Sequence, residues 1–218
     1  FTAEETEDAL IDLQFLGIDN VLALRGDPIK SQPDFRAEPG GHAYAAELVH
    51  QINKMNQGVY LDPELKNTEK TKFCIGVAGY PEKHFEAPNL NTDLLYLKQK
   101  VDAGADYIVT QMFFDNQAFF DFSEKCQQAG INVPIIPGIK PLISKKQLVS
   151  IPKHFYINLP DALVDAVMKA KDDKEVKNIG IEWCIEQCKE LKAAKVPVLH
   201  FYTMGKSADT ARIAKEVW

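Results

Sequence analysis

No stretch of this sequence approaches the ~20 consecutive apolar residues of a membrane-spanning helix, and no positively charged, then apolar leader opens it. Low-complexity tracts are also missing, and the composition, 45% hydrophobic and 26% charged, is that of an ordinary soluble protein. Basic residues are in the minority, 25 Lys and Arg against 31 Asp and Glu, so the net charge is −6. That balance excludes a general nucleic-acid footprint and obliges any anionic ligand to meet a local basic patch. Glycine occurs 12 times, yet no G-x-G-x-x-G follows an apolar run, so the usual dinucleotide fingerprint is missing. Cysteine is scarce: Cys74, Cys126, Cys184 and Cys188. The last two are four apart in a helical stretch and have no further ligands at metal-site spacing, so no metal is expected and they read as small apolar residues. Taken together, these absences lead to the expectation of a cytoplasmic protein.

What is present is an alternation of helices and short apolar runs. Thr2 and Glu5 have capping-box spacing and open a helix with Ala9, Leu10, Leu13 and Leu16 on its inner face, stopped at Gly17. Val21–Leu24 follows as a strand apolar on both sides. A second helix starts near Tyr44 with Leu48, Ile52 and Met55 in register, and a polar excursion from Val59 to Thr71 precedes the strand Phe73–Ala78. Helices at 92–103, 117–128 and 174–194 alternate with strands at 107–111, 133–137 and 198–202, and a closing helix begins near Ala208. Such alternation predicts an α/β protein with a parallel sheet covered on both faces. Polar or reactive residues recur just after strand ends: Arg25-Gly26-Asp27, Tyr80, Gln111, Lys140 and Tyr202. An open doubly wound sheet and a closed barrel both fit the periodicity, and this recurrence favours the barrel, whose chemistry sits at that end.

Each constellation has a functional and a structural reading. Arg25-Gly26-Asp27 fits a ligand-contacting strand end, or a turn with a local ion pair. Tyr80 offers a flat amphipathic ring, and His84 a titratable group or a structural hydrogen-bonder. Asp93 and Lys100 are two turns apart, as on a solvated helix face or a phosphate-holding one. Gln111 could pair with a heterocycle edge, whereas the following Phe113 and Phe114 read as core. Tyr202 could reach a ligand, Phe201 alternates to the opposite side, and His200 reads as packed rather than catalytic.

Six strings in order, Leu22 to Asp27, Val77 to Glu82, Ala103 to Asp106, Thr110 to Asp115, Ile136 to Ile139 and Leu199 to Thr203, resemble the methylenetetrahydrofolate reductase family. The insertion at 59–71 is similar to eukaryotic members. The resemblance implies a (βα)8 TIM-type barrel, of which residues 1–218 are a single domain supplying about the last five βα units. It implies FAD-dependent reduction of 5,10-methylenetetrahydrofolate to 5-methyltetrahydrofolate by NADPH or NADH, in a ping-pong sequence serving one-carbon and methionine metabolism. Its partners would be small molecules, with neither nucleic acid nor membrane, and homo-oligomerisation left open. By resemblance, FAD would be held by Arg25, Gly26, Asp27, Tyr44, Ala45, Tyr80, His84, Glu86, Ala87, Asp93 and Lys100. Folate would meet Asp27, Gln111, Gln147, Tyr202, Met204 and Lys206, with Asp27 as the catalytic carboxylate.

Three departures from the family pattern are visible. No carboxylate here matches the family's general-acid glutamate, which makes a non-catalytic flavin- or folate-binding fragment, or an inactive paralogue, the alternative. Gly205-Lys206 stands where the family often has asparagine and arginine, keeping the charge without the bidentate fork. Tyr96 and Gln99 replace helix positions that can add flavin contacts, so no role is carried to them. A barrel segment of this extent would also leave the strand Val21–Leu24 with an unpaired apolar edge.

Overall fold

The computed structural model describes residues 1–28, 34–205 and 207–218. Five strands, β1 (Asn20–Ala23), β2 (Cys74–Gly79), β3 (Tyr107–Met112), β4 (Ile135–Ile139) and β5 (His200–Phe201), follow the order β1-β2-β3-β4-β5. Each successive pair of strands is separated by at least one helix. The β1–β2 and β4–β5 pairings are parallel, which such helical crossovers require. The chain divides into two compact units, residues 1–78, 95–108 and 131–134 in the first and 79–94, 109–130 and 135–218 in the second.

In the first unit, α1 (Ala3–Phe15) has the predicted capping box, Glu5 N donating to Thr2 Oγ1 and Thr2 N to Glu5 Oε2. Its expected inner face is corrected: Leu10 is buried, whereas Ala9 and Leu16 are exposed. The apolar stripe exists, but little within this unit covers it. α2 (Ala45–Asn56) buries Val49, Ile52 and Met55, so its stripe begins one residue later than the expected Leu48. The excursion at 59–71 returns through Asn56, whose Oδ1 accepts from Thr71 Oγ1 at 2.7 Å and Phe73 N at 2.9 Å. Asp106 Oδ2 accepts from Ile75 N at 2.7 Å, tying the entrance of β3 to β2.

In the second unit, α7 (Asp173–Ala193) lies at the centre, buried along Val176, Ile181, Cys184, Cys188 and Leu191. One apolar cluster gathers Phe113, Phe119, Ile139, Cys184, Leu191 and Ile213, and another Phe114, Leu142, Leu163, Val167 and Val176. Phe113 and Phe114 are thus core, as expected, and Phe201 and Tyr202 pack against different clusters, as strand alternation requires. Cys126, Cys184 and Cys188 are buried free thiols in helices, which fits the small-apolar reading; burial, with a contribution from Asp93, pushes Cys126 up to about 12.

Two strand expectations are corrected here. The strand expected at 133–137 is displaced to 135–139, and only His200 and Phe201 of 198–202 are in strand β5. Two helices went unread: α5 (Gln147–Phe155), which carries Pro152, and α6 (Asp161–Lys169). The remaining helices are α3 (Leu90–Asp102), α4 (Asn116–Gln128) and α8 (Ser207–Val217).

Candidate functional site

The strand ends set out the candidate residues. In the first unit, the chain leaves β1 through Leu24 into Arg25, Gly26 and Asp27. Gly26 has φ +86°, so the turn needs glycine's backbone freedom, and no atom of the described residues stands within 4 Å of where a Cβ would be. The Arg25 guanidinium lies 4.8 Å from the centroid of Phe35, and Asp27 is exposed. Tyr44 is exposed and precedes α2 at its N-cap, with Ala45 the first helical residue; Glu47 reaches back to accept from Ala43 N and Tyr44 N. Lys100 donates from Nζ to Ala78 O at 2.5 Å, which holds its ammonium beside the C-terminal end of β2.

In the second unit, Tyr80, His84, Glu86 and Ala87 lie on the loop after β2, and Asp93, in the first turn of α3, is bonded to it. Asp93 Oδ2 accepts from His84 N at 2.8 Å, and Lys83 Nζ donates to the carbonyls of His84 and Ala87. The His84 ring meets Tyr80 edge-on at 4.6 Å and Phe85 at 4.7 Å, while Glu86 N donates to His84 Nδ1 at 3.3 Å. An accepting Nδ1 places any proton of the neutral ring on Nε2.

A second constellation lies at the ends of β4 and β5. A cavity of about 140 Å³ is lined by Lys140, Gln147, Tyr202, Thr203, Met204 and Asp209, among others. Three of the predicted folate residues, Gln147, Tyr202 and Met204, therefore share one cavity. Gln147 Oε1 accepts from Ile143 N at 2.6 Å and Ser144 N at 3.2 Å, which fixes its amide at the mouth of α5. The Tyr202 hydroxyl donates to Thr110 O at 2.8 Å, and burial raises its pKa, so it is a neutral phenol with its proton engaged. Met204 is exposed, with φ 49° in the left-handed region. Two glycines permit close backbone approaches in this unit: a Cβ at Gly138 would clash with Thr110 O, and one at Gly180 with Leu142 O. Gln111 is not among the residues lining it; its Oε1 accepts from Met112 N at 3.0 Å. Lys206 lies outside the described residues.

The sequence reading noted Lys140 as a strand-end residue without giving it a role, and missed Thr203 and Asp209 as lining residues. It also missed a cavity of about 330 Å³ lined by Pro81, Glu82, Asp115, Lys125 and Asn158, among others. There Glu82 accepts from Asn158 N at 2.8 Å and from Asn158 Nδ2. Burial raises the Glu82 pKa, the Asn158 hydrogen bonds oppose the shift, and the Asp115 charge adds to it. No signal near Glu82 in sequence announces Asn158, which comes from the segment between the two unread helices.

The family model for methylenetetrahydrofolate reductase matches residues 1–217. The chain is 42% identical over 212 residues to methylenetetrahydrofolate reductase (NADH) 1 of Arabidopsis thaliana, covering 93% of this chain and 34% of that protein. It is 38% identical over 205 residues to methylenetetrahydrofolate reductase 1 of Schizosaccharomyces pombe, covering 94% and 32%. A probable methylenetetrahydrofolate reductase (NADPH) of Caenorhabditis elegans is 34% identical over 219 residues, covering 100% and 31%. The chain thus spans about a third of the length of the curated relatives it matches. Among solved structures, an uncharacterized Clostridium thermocellum protein that binds two copies of 5-methyl-5,6,7,8-tetrahydrofolic acid has the same fold. The TM-score is 0.57 at 19% identity, over 100% of this chain and 68% of that one. With a family model matched from the first residue to the penultimate one, the chain belongs to the methylenetetrahydrofolate reductase family.

Proposed function

We propose that the protein carrying this chain reduces 5,10-methylenetetrahydrofolate to 5-methyltetrahydrofolate with NADH or NADPH as hydride donor, through FAD and in a ping-pong sequence. Residues 1–218 are then one domain, the last five βα units of an eight-stranded barrel, in a cytoplasmic enzyme of one-carbon and methionine metabolism. Two relatives are named for NADH and NADPH respectively, and a protein of the same fold binds 5-methyltetrahydrofolic acid. The observation that carries the reading is the clustering of Gln147, Tyr202 and Met204, three positions assigned to folate, around one cavity at the ends of two parallel strands.

The side chains suit the groups they would hold. Lys100 presents an ammonium beside a strand end, suited to the FAD diphosphate. The loop braced by Asp93 orients the Tyr80 and His84 rings and the backbone through Glu86 and Ala87 for the rest of the dinucleotide. Gly26 has no Cβ to keep a ring from the backbone, and Arg25, Tyr44 and Ala45 are assigned to the same cofactor by resemblance. FAD, when bound, supplies the two-electron relay between nicotinamide and folate. Asp27 would stabilise the cationic iminium form of the folate. The neutral Tyr202 phenol walls the pocket rather than transferring a proton, because its hydrogen is given to Thr110 O. Gln111, Gln147, Met204 and Lys206 complete the folate contacts.

The test uses the full-length protein. Retained FAD, reduced by NADH or NADPH and reoxidised by methylenetetrahydrofolate, is the expected result. Flavin retained but not reoxidised by the folate would leave only the binding reading, and failure to retain flavin would sink both.

A further inference from the structure

Lys140 follows β4 directly and lines the cavity shared by Gln147 and Tyr202. Its ammonium is half-buried, and its hydrogen bond is a long one, 3.5 Å from Nζ to Tyr202 O. No carboxylate pairs with it among the described residues. Asp209 lines the same cavity, but its Oδ1 lies 2.7 Å from Lys177 Nζ. Burial alone lowers the Lys140 pKa, as expected for a cation taken from water without an opposite charge. In the same cavity, Gln147 Oε1 accepts from two loop N–H groups, and its Nε2 makes no hydrogen bond among the described residues. The cavity wall therefore holds an uncompensated ammonium and a fixed amide donor, in a chain whose net charge is −6.

We propose that Lys140, with Gln147 Nε2, is a specificity-determining contact for an anionic group of the bound ligand, a carboxylate or a phosphate. At about 140 Å³ the cavity admits such a group of a few heavy atoms rather than a whole cofactor. This rests on the function proposed above, which offers two sources: the glutamyl carboxylates of the folate and the diphosphate of the nicotinamide nucleotide. A charge-assisted contact supplies orientation as well as affinity, and lysine does so as a mobile point charge.

The test compares full-length wild type with Lys140→Met and Lys140→Arg by titration calorimetry at low salt, after thermal melts confirm folding. The probes are 5-methyltetrahydrofolate with one and with several glutamates, the oxidised nicotinamide nucleotide, and inorganic pyrophosphate. Lys140→Met is expected to weaken pyrophosphate and one of the two ligands about tenfold or more, and Lys140→Arg to restore most of the loss. A loss confined to the folates, growing with glutamate number, identifies the carboxylates; a loss confined to the nucleotide identifies the diphosphate. Unchanged binding of all probes by Lys140→Met overturns the inference. If wild type bound neither folate nor nucleotide, the proposed function would fall; Lys140-dependent binding of pyrophosphate would then still uphold the anion site, and its absence would end both. Should Lys140→Met not fold, Lys140→Gln, which removes the charge at similar length, is read in the same way.

Discussion

Tyr202 and Glu82 show how one atom's partner decides a residue's part. Tyr202 directly follows β5, with its hydroxyl on the carbonyl of Thr110, a residue with no exposed surface. Tyr202→Phe keeps the ring against its cluster and strands that carbonyl. The expected cost is about 1 kcal/mol, or a melting temperature lower by about 2–4 °C. A ligand-binding tyrosine would instead leave the apo melting point unchanged and weaken folate binding. Glu82 behaves differently, because its pKa is raised in the folded chain, chiefly by burial. A carboxyl raised in this way favours the fold below its ordinary value of about 4.3 and loses that contribution as pH climbs through the raised one. Glu82→Gln does not titrate and still offers an oxygen to Asn158. Melting curves from acid to neutral pH should therefore show the variant gaining on wild type as pH rises. A stability difference that is flat in pH, or that shifts in favour of wild type as pH rises, would contradict the assignment.

At the scale of elements, legibility followed length and capping. α1 was readable because Thr2 and Glu5 cap each other, and α7 because its apolar positions recur over 21 residues. α5 and α6 have nine residues each, no side-chain cap, and Pro152 inside one of them, so local signals gave them no outline. The strand expected over 198–202 shortened to two residues, since β5 stands last in the strand order and has β4 alone as its neighbour. In the candidate site, the folate roles of Gln147, Tyr202 and Met204 entered only through what the family resemblance implies, whereas the lack of a carboxylate partner for Lys140 among the described residues depends on what folds around it. Gly180 was equally hidden. In sequence it is a weak point in a helix, where alanine would ordinarily gain about 1 kcal/mol. In the structure, α7 passes so close to the β4–α5 connection that a Cβ would stand 1.8 Å from Leu142 O, a backbone atom that cannot rotate away. Gly180→Ala is therefore expected to destabilise by about 1–3 kcal/mol and to displace the loop that presents Gln147. A higher melting temperature for this variant would show that helix propensity outweighs the contact.

For the whole chain, what matters is apolar surface that its own residues leave uncovered. Phe15 is 91% exposed and Leu16 71%, and Leu22 and Leu24 on and beside β1 are each exposed by 40% or more. Scattered single exposures of this kind are ordinary, but here they fall on neighbouring positions of one helix end and one strand that terminates the strand order. A strand in that place also offers unpaired backbone groups to another chain. The 218-residue chain by itself is therefore expected to bind a hydrophobic dye and to gain mass with concentration in sedimentation experiments. The net charge of −6 opposes close approach of copies, so added salt should strengthen the association by screening that repulsion. Phe15→Ser with Leu16→Lys removes two of the largest exposures without touching the buried Leu10 or either candidate constellation, and should weaken both dye binding and association. Association that salt dissolves would point instead to contacts between opposite charges. A chain that stays monomeric and free of dye at every concentration would mean that these side chains are tolerated singly, and that the edge of β1 is harmless in water.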